Sequence, residues 1–556
     1  MAELPDAAPA QPVAEQPRTT MIEDSSSGEN DHKKQTQTLA GDSDLEDGVA
    51  DVKTERAAHS TAEIPDDEAG YLPMGSRLYI IIFSLMLGVF CVALDNNIIA
   101  VAIPRIADEF HSLNDVGWYG SAYLLPACGL QLSFGKLYSL FNVKWVYLVG
   151  LLFFEVGTTI CGAAPNSTVL VVGRAIAGIG SGGLFTGAMI TIAKTVPLAK
   201  RPAFMGIFAA VYGIASVLGP LIGGGLTDHV SWRWCFFINL PFGAVTAVGV
   251  LFFLKLEGKV PASEESWGSI LKKLDPLGNL LFIPSIICLL LALQMGGLTY
   301  AWSNGRIIAL LVVFGLALLG FIVLQAFIGD NAMLPARIAT QRITYYVPIW
   351  FQAIKGVGPV TSGVDFLPFI VPEIVGGMFA GGLVTVYGYT NPFYIVSSIM
   401  MSIAGGLCTL FTVDTPRAAW VSYQFLWGLG VGIGFQQSTV TASTLSHKDI
   451  PVGTALVVFV NLFGGALFVA VAQNLFASRL VENLVALNIP GVDPQTILHA
   501  GATNLRNVVG PENLHQVLVG YNDALVRTFK LGLIMSCLSI IGAVGVEWKS
   551  VKAKKT

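Results

Sequence analysis

LYIIIFSLMLGVFCVALDNNIIAVAI, Leu78 to Ile103, is long and apolar enough to cross a lipid bilayer, yet it carries a carboxylate at Asp95. A helix needs about 20 mostly apolar residues to span roughly 30 Å of hydrocarbon. Comparable stretches follow at 116–140, 144–164, 168–194, 203–226, 234–254, 276–296, 306–328, 363–386, 392–412, 418–442, 452–475 and 528–547, with a short one at 343–354. Lipid offers the backbone no hydrogen-bond partners, so each such segment reads as a helix. Long Gly-rich apolar runs do not resemble the short alternating strands of a membrane barrel. The sequence predicts an all-α polytopic membrane protein.

The bulk composition agrees. The chain is 53% hydrophobic and 12% charged, with a mean hydropathy of +0.64, whereas soluble domains carry about 25% charged residues. The net charge of −5 conceals an asymmetry: residues 1–76 hold 17 Asp/Glu against 5 Lys/Arg, and the remainder holds 20 against 27. That acidic tail lacks an apolar leader segment and predicts a disordered cytosolic region. No basic cluster stands apart from the membrane loops, which argues against nucleic acid as a partner. The seven cysteines all fall in apolar segments without C-x-x-C spacing and read as small buried hydrophobes. No metal, cofactor or nucleotide motif appears, and no G-x4-G-K-[ST] supports ATP-driven pumping.

Lys and Arg set the expected orientation. With the N-terminus in the cytosol and every segment crossing, sixteen fall on the inner side and eight on the outer, the positive-inside pattern. Both termini are then cytosolic, and the sequon Asn166-Ser167-Thr168 lies outside as a glycosylation acceptor. The segment 343–354 is anomalous. Its twelve residues reach about 18 Å at 1.5 Å per residue, and lengthening it backwards would bury Arg342 and Arg337.

Ionisable residues inside spans are costly, about 2.5–3.5 kcal/mol each on insertion scales, and mark function by default. Asp95 in the first span, Glu155 in the third and Arg174 in the fourth fall at similar depth, so they can pair. Two readings stand: an ion-pair cluster that fixes the helices, or a protonatable relay beside a substrate cavity. Burial favours a protonated carboxyl and a nearby Arg an ionised one, so helix motion that changes the pairing would switch the proton. The fifth span carries Gly213, Gly219, Pro220, Gly223, Gly224 and Gly225, small residues for close helix approach together with a proline that frees a carbonyl. That combination suits a helix that bends during a cycle. Gln131, Glu373, Asn461 and Gln473 are further polar candidates for a substrate cavity.

The Asp95 motif, Arg174-x-x-x-Gly178-x-Gly180-x-Gly182 and Gly213-x5-Gly219-Pro220-x-x-Gly223-Gly224 resemble successive signatures of the major facilitator superfamily, the last being the mark of its antiporters. Trp232-Arg233-Trp234-Cys235-Phe236-Phe237-Ile238-Asn239-Leu240-Pro241 is similar to the fourteen-span drug:proton antiporter branch. Phe134-Gly135-Lys136-Leu137-Tyr138 and Pro348-Ile349-Trp350-Phe351-Gln352-Ala353-Ile354-Lys355-Gly356 resemble its fungal toxin-efflux members. The resemblance covers about residues 75–550. It implies a major facilitator fold: an N-terminal six-helix half (77–254), an inserted two-helix linker (255–330), a C-terminal half with a shortened first helix (331–548) and a basic cytosolic tail (549–556). It further implies a monomer in the cell membrane that exports a small hydrophobic molecule, a fungal secondary metabolite, toxin or drug, against inward proton movement; the alternatives are a siderophore or nutrient transporter, or a non-transporting truncated form. Two departures stand out. Ser139 occupies the position where the family carries an acidic gate residue, and the ninth segment is about twenty residues short of the family pattern.

Overall fold

The computed structural model describes residues 75–552, apart from 113–114, 256–265, 298–299, 329–342, 358, 446–448, 488, 490–492, 547 and 549. Most of the acidic tail, Arg337 and Arg342 lie outside the described residues. Within them the chain forms helices and no strand.

In the grouping that the sequence predicts, the first half comprises α1 (Ser76–Phe110), α2 (Val116–Gly129), α3 (Gln131–Leu140), α4 (Val143–Gly162), α5 (Ser167–Thr195), α6 (Arg201–His229), α7 (Trp234–Phe237) and α8 (Asn239–Phe253). The insert comprises α9 (Trp267–Lys273), α10 (Pro276–Met295) and α11 (Gly305–Ile328). The second half comprises α12 (Ile343–Trp350), α13 (Pro359–Asp365), α14 (Leu367–Tyr387), α15 (Asn391–Cys408), α16 (Arg417–Phe435), α17 (Gln437–Ala442), α18 (Ile450–Leu487), α19 (Pro494–Val508) and α20 (Pro511–Val544).

Eleven helices among the described residues are long and apolar enough to cross a membrane. The second, ninth and twelfth spans are not among them; these three, and also the sixth, are divided into shorter pieces. The second breaks at Leu130, after Pro126 and Gly129, the two poorest helix formers in a helix interior. Several helices outrun the hydrocarbon: the 38 residues of α18 rise about 57 Å. Its far end carries the exposed pair Arg479–Glu482 at 2.6 Å, and α19 follows as an amphipathic helix that the apolar reading did not register. Large side chains such as Leu316 (67% exposed) and Ile541 (73%) face outward, as lipid contact requires.

Lys136, Lys144, Lys194, Lys200 and Arg201 gather at one end of the bundle, here called the basic end. The halves touch there. Gly135 meets Ala455 and the Pro451 carbonyl, Gly206 meets Gly377 and Met378, and Gly381 meets Pro202. Buried Arg201 donates from Nη1 to the Ser443 carbonyl across the halves (2.5 Å). Ser139, in place of the family's acid, donates to its own Lys136 carbonyl (2.8 Å).

The insert packs at the seam between the second and thirteenth spans. Ser133 donates to Asn279 of α10 (2.9 Å), Gln294 of α10 donates to the Gly117 carbonyl (3.0 Å), and Asn474 of α18 donates to the Leu293 carbonyl (3.1 Å). Phe282 of α10 lies edge-on to Phe459 of α18 at 5.2 Å.

The ninth span is described only from Ile343 onward, because residues 329–342 lie outside the described residues. Its described part is α12 followed by one π-helical stretch, Phe351–Lys355, which stops at Gly356 in the left-handed region (φ +68°). Lys355 donates to the Val413 and Thr415 carbonyls (2.8 and 2.9 Å), and Arg506 of α19 donates to the Ile354 carbonyl (2.9 Å). The span is thus tied at the end remote from the basic loops.

Candidate functional site

Glycines decide how closely the helices of the first half approach. On α5, Gly178 and Gly182 lie against the backbone of α2 at Tyr123 and Ala127, while Gly180 lies against Phe154 and Gly150 of α4. On α6, a side chain at Gly219 would come within 2.8 Å of Asn97 Cβ and one at Gly223 within 2.7 Å of Ile98 Cγ1. Helix α6 therefore packs closely on α1 just beside Asp95, while the α5 glycines bring that helix against α2 and α4.

A charge pair is buried here. Asp95 is 0% and Arg174 1% exposed, and Arg174 Nη1 lies 2.5 Å from Asp95 Oδ2. Arg174 Nε donates to the Tyr119 carbonyl (2.8 Å), and the guanidinium stacks 4.2 Å over the Tyr123 ring. A buried ion pair is tolerable only when further hydrogen bonds satisfy its remaining valences. Arg174 meets that condition through Tyr119 and Tyr123. Asp95 does not, because Oδ1 has no hydrogen-bond partner among the described residues. The carboxylate is held at one oxygen and open at the other.

Glu155 is near this pair but makes no bond to it among the described residues. Its carboxylate oxygens are buried without a partner among the described residues, and it abuts Gly243 of α8. Gln131 is fully buried inside the first half, bonded to Thr186 and against Gly182. Glu373 belongs to a different place. It is half-buried on α14; its backbone carbonyl abuts Gly432, and its neighbour Ile374 packs on Gly213 of α6, where the halves meet. Asn461 is half-buried and Gln473 exposed on α18. Pro220 is half-buried and Gly224 buried on α6. Asn166 is exposed and caps α5, its side chain accepting from Val169 N (3.0 Å). So Asp95, Arg174, Gly219 and Gly223 come together, Glu373 and Gly213 form a second group, and the remainder are dispersed. No cluster of metal-ligating side chains occurs among the described residues.

Sequence reasoning missed the roles of Tyr119 and Tyr123, which bind Arg174 through a carbonyl and a ring face. It also missed what Trp232-Arg233 does. Arg233 donates to Glu109 (2.8 Å) and to the Ala164 carbonyl (2.9 Å) and stacks on Trp232, whose Nε1 donates to Glu109 (2.6 Å). The motif straps three spans together at the end opposite the basic loops.

The Major Facilitator Superfamily model matches residues 85–469. The chain belongs to the major facilitator superfamily. This major facilitator is 54% identical over 500 residues to a protein named efflux pump aflT of Aspergillus parasiticus, covering 86% of this chain and 97% of that one. It is 50% identical over 517 residues to the MFS-type efflux pump MFS1 of Trichophyton rubrum, covering 90% and 96%. Among solved structures it resembles the human organic anion transporter MFSD10 (TM-score 0.53, 12% identity, 83% of this chain and 100% of that one) and the proton:xylose symporter XylE (0.52, 16%, 86% and 98%). At those identities the structures speak to the fold alone. The chain is a multi-pass membrane transporter of small molecules and not an enzyme.

Proposed function

We propose that this facilitator exports a small hydrophobic metabolite or toxin of fungal type, driven by protons that Asp95 carries. The relatives named efflux pumps support the direction and the substrate class. The observation that carries the coupling is the buried Asp95–Arg174 pair with Asp95 Oδ1 left open. When Arg174 holds the carboxylate the site is ionised; when the helices part, the carboxyl takes a proton. Parting is a motion of α1 against α5, and the glycine faces of α5 and α6 set its stiffness. One charge moved through 100 mV is worth about 2.3 kcal/mol, so each proton supplies usable drive. Glu155 assists as a second acceptor.

The Lys-rich end faces the cytosol by the charge rule, with both termini there. The protein acts as a monomer in the cell membrane, and Asn166 faces outward. Gln131, Glu373, Asn461 and Gln473 stand as cavity contacts, with Glu373 the best sited because α14 and α6 meet beside it. The test is efflux of a preloaded lipophilic dye, rhodamine 6G, from yeast lacking its own drug pumps. Export should stop when a protonophore collapses the gradient. Export that continues at full rate without a gradient would remove proton coupling.

A second reading rests on the short ninth span: the chain as written transports poorly. A message carrying about twenty further residues before Tyr345 would restore a full span, since about 20 residues are needed to cross. Sequencing the transcript decides this. A 556-residue message as the sole product, with normal efflux, sinks that second reading.

A further inference from the structure

Outside the Asp95–Arg174 contact, the first half holds buried polar groups that this pair does not use. On α8 the buried face reads Asn239, Gly243, Thr246 and Gly249, spacings that place all four on one side of a helix. Asn239 and Thr246 are each 0% exposed, yet neither polar atom of the Asn239 side chain nor Thr246 Oγ1 has a hydrogen-bond partner among the described residues. The opposing walls repeat the pattern. Glu155 has both oxygens unpartnered, and Tyr147, also on α4 and 0% exposed, has an unpartnered hydroxyl.

Glycines bring these groups into one seam. Gly243 lies against the Glu155 carboxylate. Gly88 of α1 lies against the Tyr147 hydroxyl and 3.2 Å from Thr246 Cγ2, measured from the position of its missing Cβ. Gly249 lies against Ser84 of α1. The groups thus descend in order between α1, α4 and α8: Glu155 at the level of Gly243, then Thr246 with Tyr147, then Ser84. Lys144, one turn before Tyr147, closes the line at the basic end and donates to the Leu251 carbonyl (2.5 Å).

Apolar packing does not account for this. Native interiors leave few buried polar atoms unpaired, and these fall on facing walls of a single seam. From Glu155 to Tyr147 the helix rises about 12 Å, four or five hydrogen-bonded steps of about 2.8 Å. A water held by 2–4 polar partners is the usual occupant of such a place. We propose that a file of water fills the seam between α1, α4 and α8 and conducts protons between the carboxylates and the basic end, separately from the substrate's path between the halves. Each hop breaks one O–H bond and forms another, so the net result is one proton moved. The charged and titratable groups facing Glu155 are Asp95 and Cys91 of α1, with Arg174 of α5 engaged by Asp95; Tyr147 follows on its own helix, and the α8 face contributes only neutral groups. The conduction rests on the proton-coupled reading above; the water file does not.

The test is hydroxyl-radical labelling of the full-length protein in lipid nanodiscs, where X-ray radiolysis oxidises side chains in contact with water. Tyr138 is an internal control: it is equally 0% exposed, but its hydroxyl is satisfied by the Gly183 carbonyl (2.8 Å). Tyr147 should be oxidised at least about tenfold faster than Tyr138, the contrast between a water-bonded hydroxyl and one bonded to protein. Equal rates would overturn the proposal without any variant being made. Thr246→Val keeps shape and removes one hydroxyl. In proteoliposomes it should slow rhodamine 6G transport driven by a pH gradient roughly tenfold, while dye exchange at zero gradient stays within about twofold. An unchanged gradient-driven rate would remove the conducting role. A wild-type protein that moves no dye would count against the proposed function, and the labelling contrast would still decide whether the seam is wet.

Discussion

The two halves bury different chemistry. The first buries the Asp95–Arg174 pair and a seam of unpaired polar groups around Glu155. The second buries no ion pair among the described residues; its unpartnered buried atoms belong to neutral side chains (Asn391, Gln424, Trp427, Gln436 and Gln437), and its core holds stacked rings: Trp350 stacks on Phe411 at 4.5 Å, and Phe411 meets Phe529 at 5.8 Å. Glu373, a carboxylate on α14, stands where α14 meets α6. The contrast teaches a division of labour. On the proposed function, protons would be handled by helices of the first half, and the second would supply an apolar body against which the first moves.

The hardest blow to this contrast is Asp95→Asn. The amide keeps size and can still accept from Arg174, so protein level should hold, while gradient-driven dye transport falls about 100-fold or more, the scale of a lost proton-transfer group. Unimpaired transport in vesicles would end the division. Gly219→Leu comes next. A side chain there meets Asn97 at 2.8 Å, and overpacking costs about 1–3 kcal/mol. It should separate α6 from α1 and cut transport roughly tenfold; a full rate at equal surface expression would mean that this contact neither moves nor matters.

Asn522→Leu tests the other half. Asn522 accepts from Trp350 Nε1 and donates to the Phe411 carbonyl, both at 2.8 Å. Leucine leaves both partners unpaired at about 1–3 kcal/mol each, so thermal unfolding in detergent should shift down while the pH dependence of transport keeps its shape. A changed pH profile would show that coupling spreads into the second half. The smallest effect is expected from Glu373→Gln, about two- to threefold in dye affinity, the size of one polar contact partly screened by solvent, with gradient dependence retained. Loss of gradient dependence would make Glu373 a second coupling site.

Much of this was legible in advance. Hydropathy alone located fourteen segments, and helix register put Asp95 and Arg174 at one depth. Their partners were not legible, because a backbone carbonyl (Tyr119) and a ring face (Tyr123) leave no mark in a sequence. Similar depth also suggested that Glu155 joins the pair, but depth does not fix the azimuth of a side chain, and Glu155 turns toward Gly243. Asn239 and Thr246 passed unnoticed because one neutral polar residue per two turns is ordinary in a membrane helix. The break at Leu130 was masked by the unbroken apolarity of its neighbours. Arg506 reaching Ile354 is a contact across 152 residues that no local pattern encodes.

The insert behaves as a bearing with unequal sides. Toward the second span, α10 is pinned near both ends by directional bonds, Ser133 to Asn279 and Gln294 to the Gly117 carbonyl. Toward α18, among the described residues, it presents the flank of Phe282 to Phe459 and receives the hydrogen bond from the Asn474 amide. Rings slide over one another with little change in energy, whereas a hydrogen bond must be broken outright, at a net cost of about 0.5–1.5 kcal/mol. If the halves rock, the insert therefore travels with the first and grazes the second, and friction in each stroke is concentrated at Asn474.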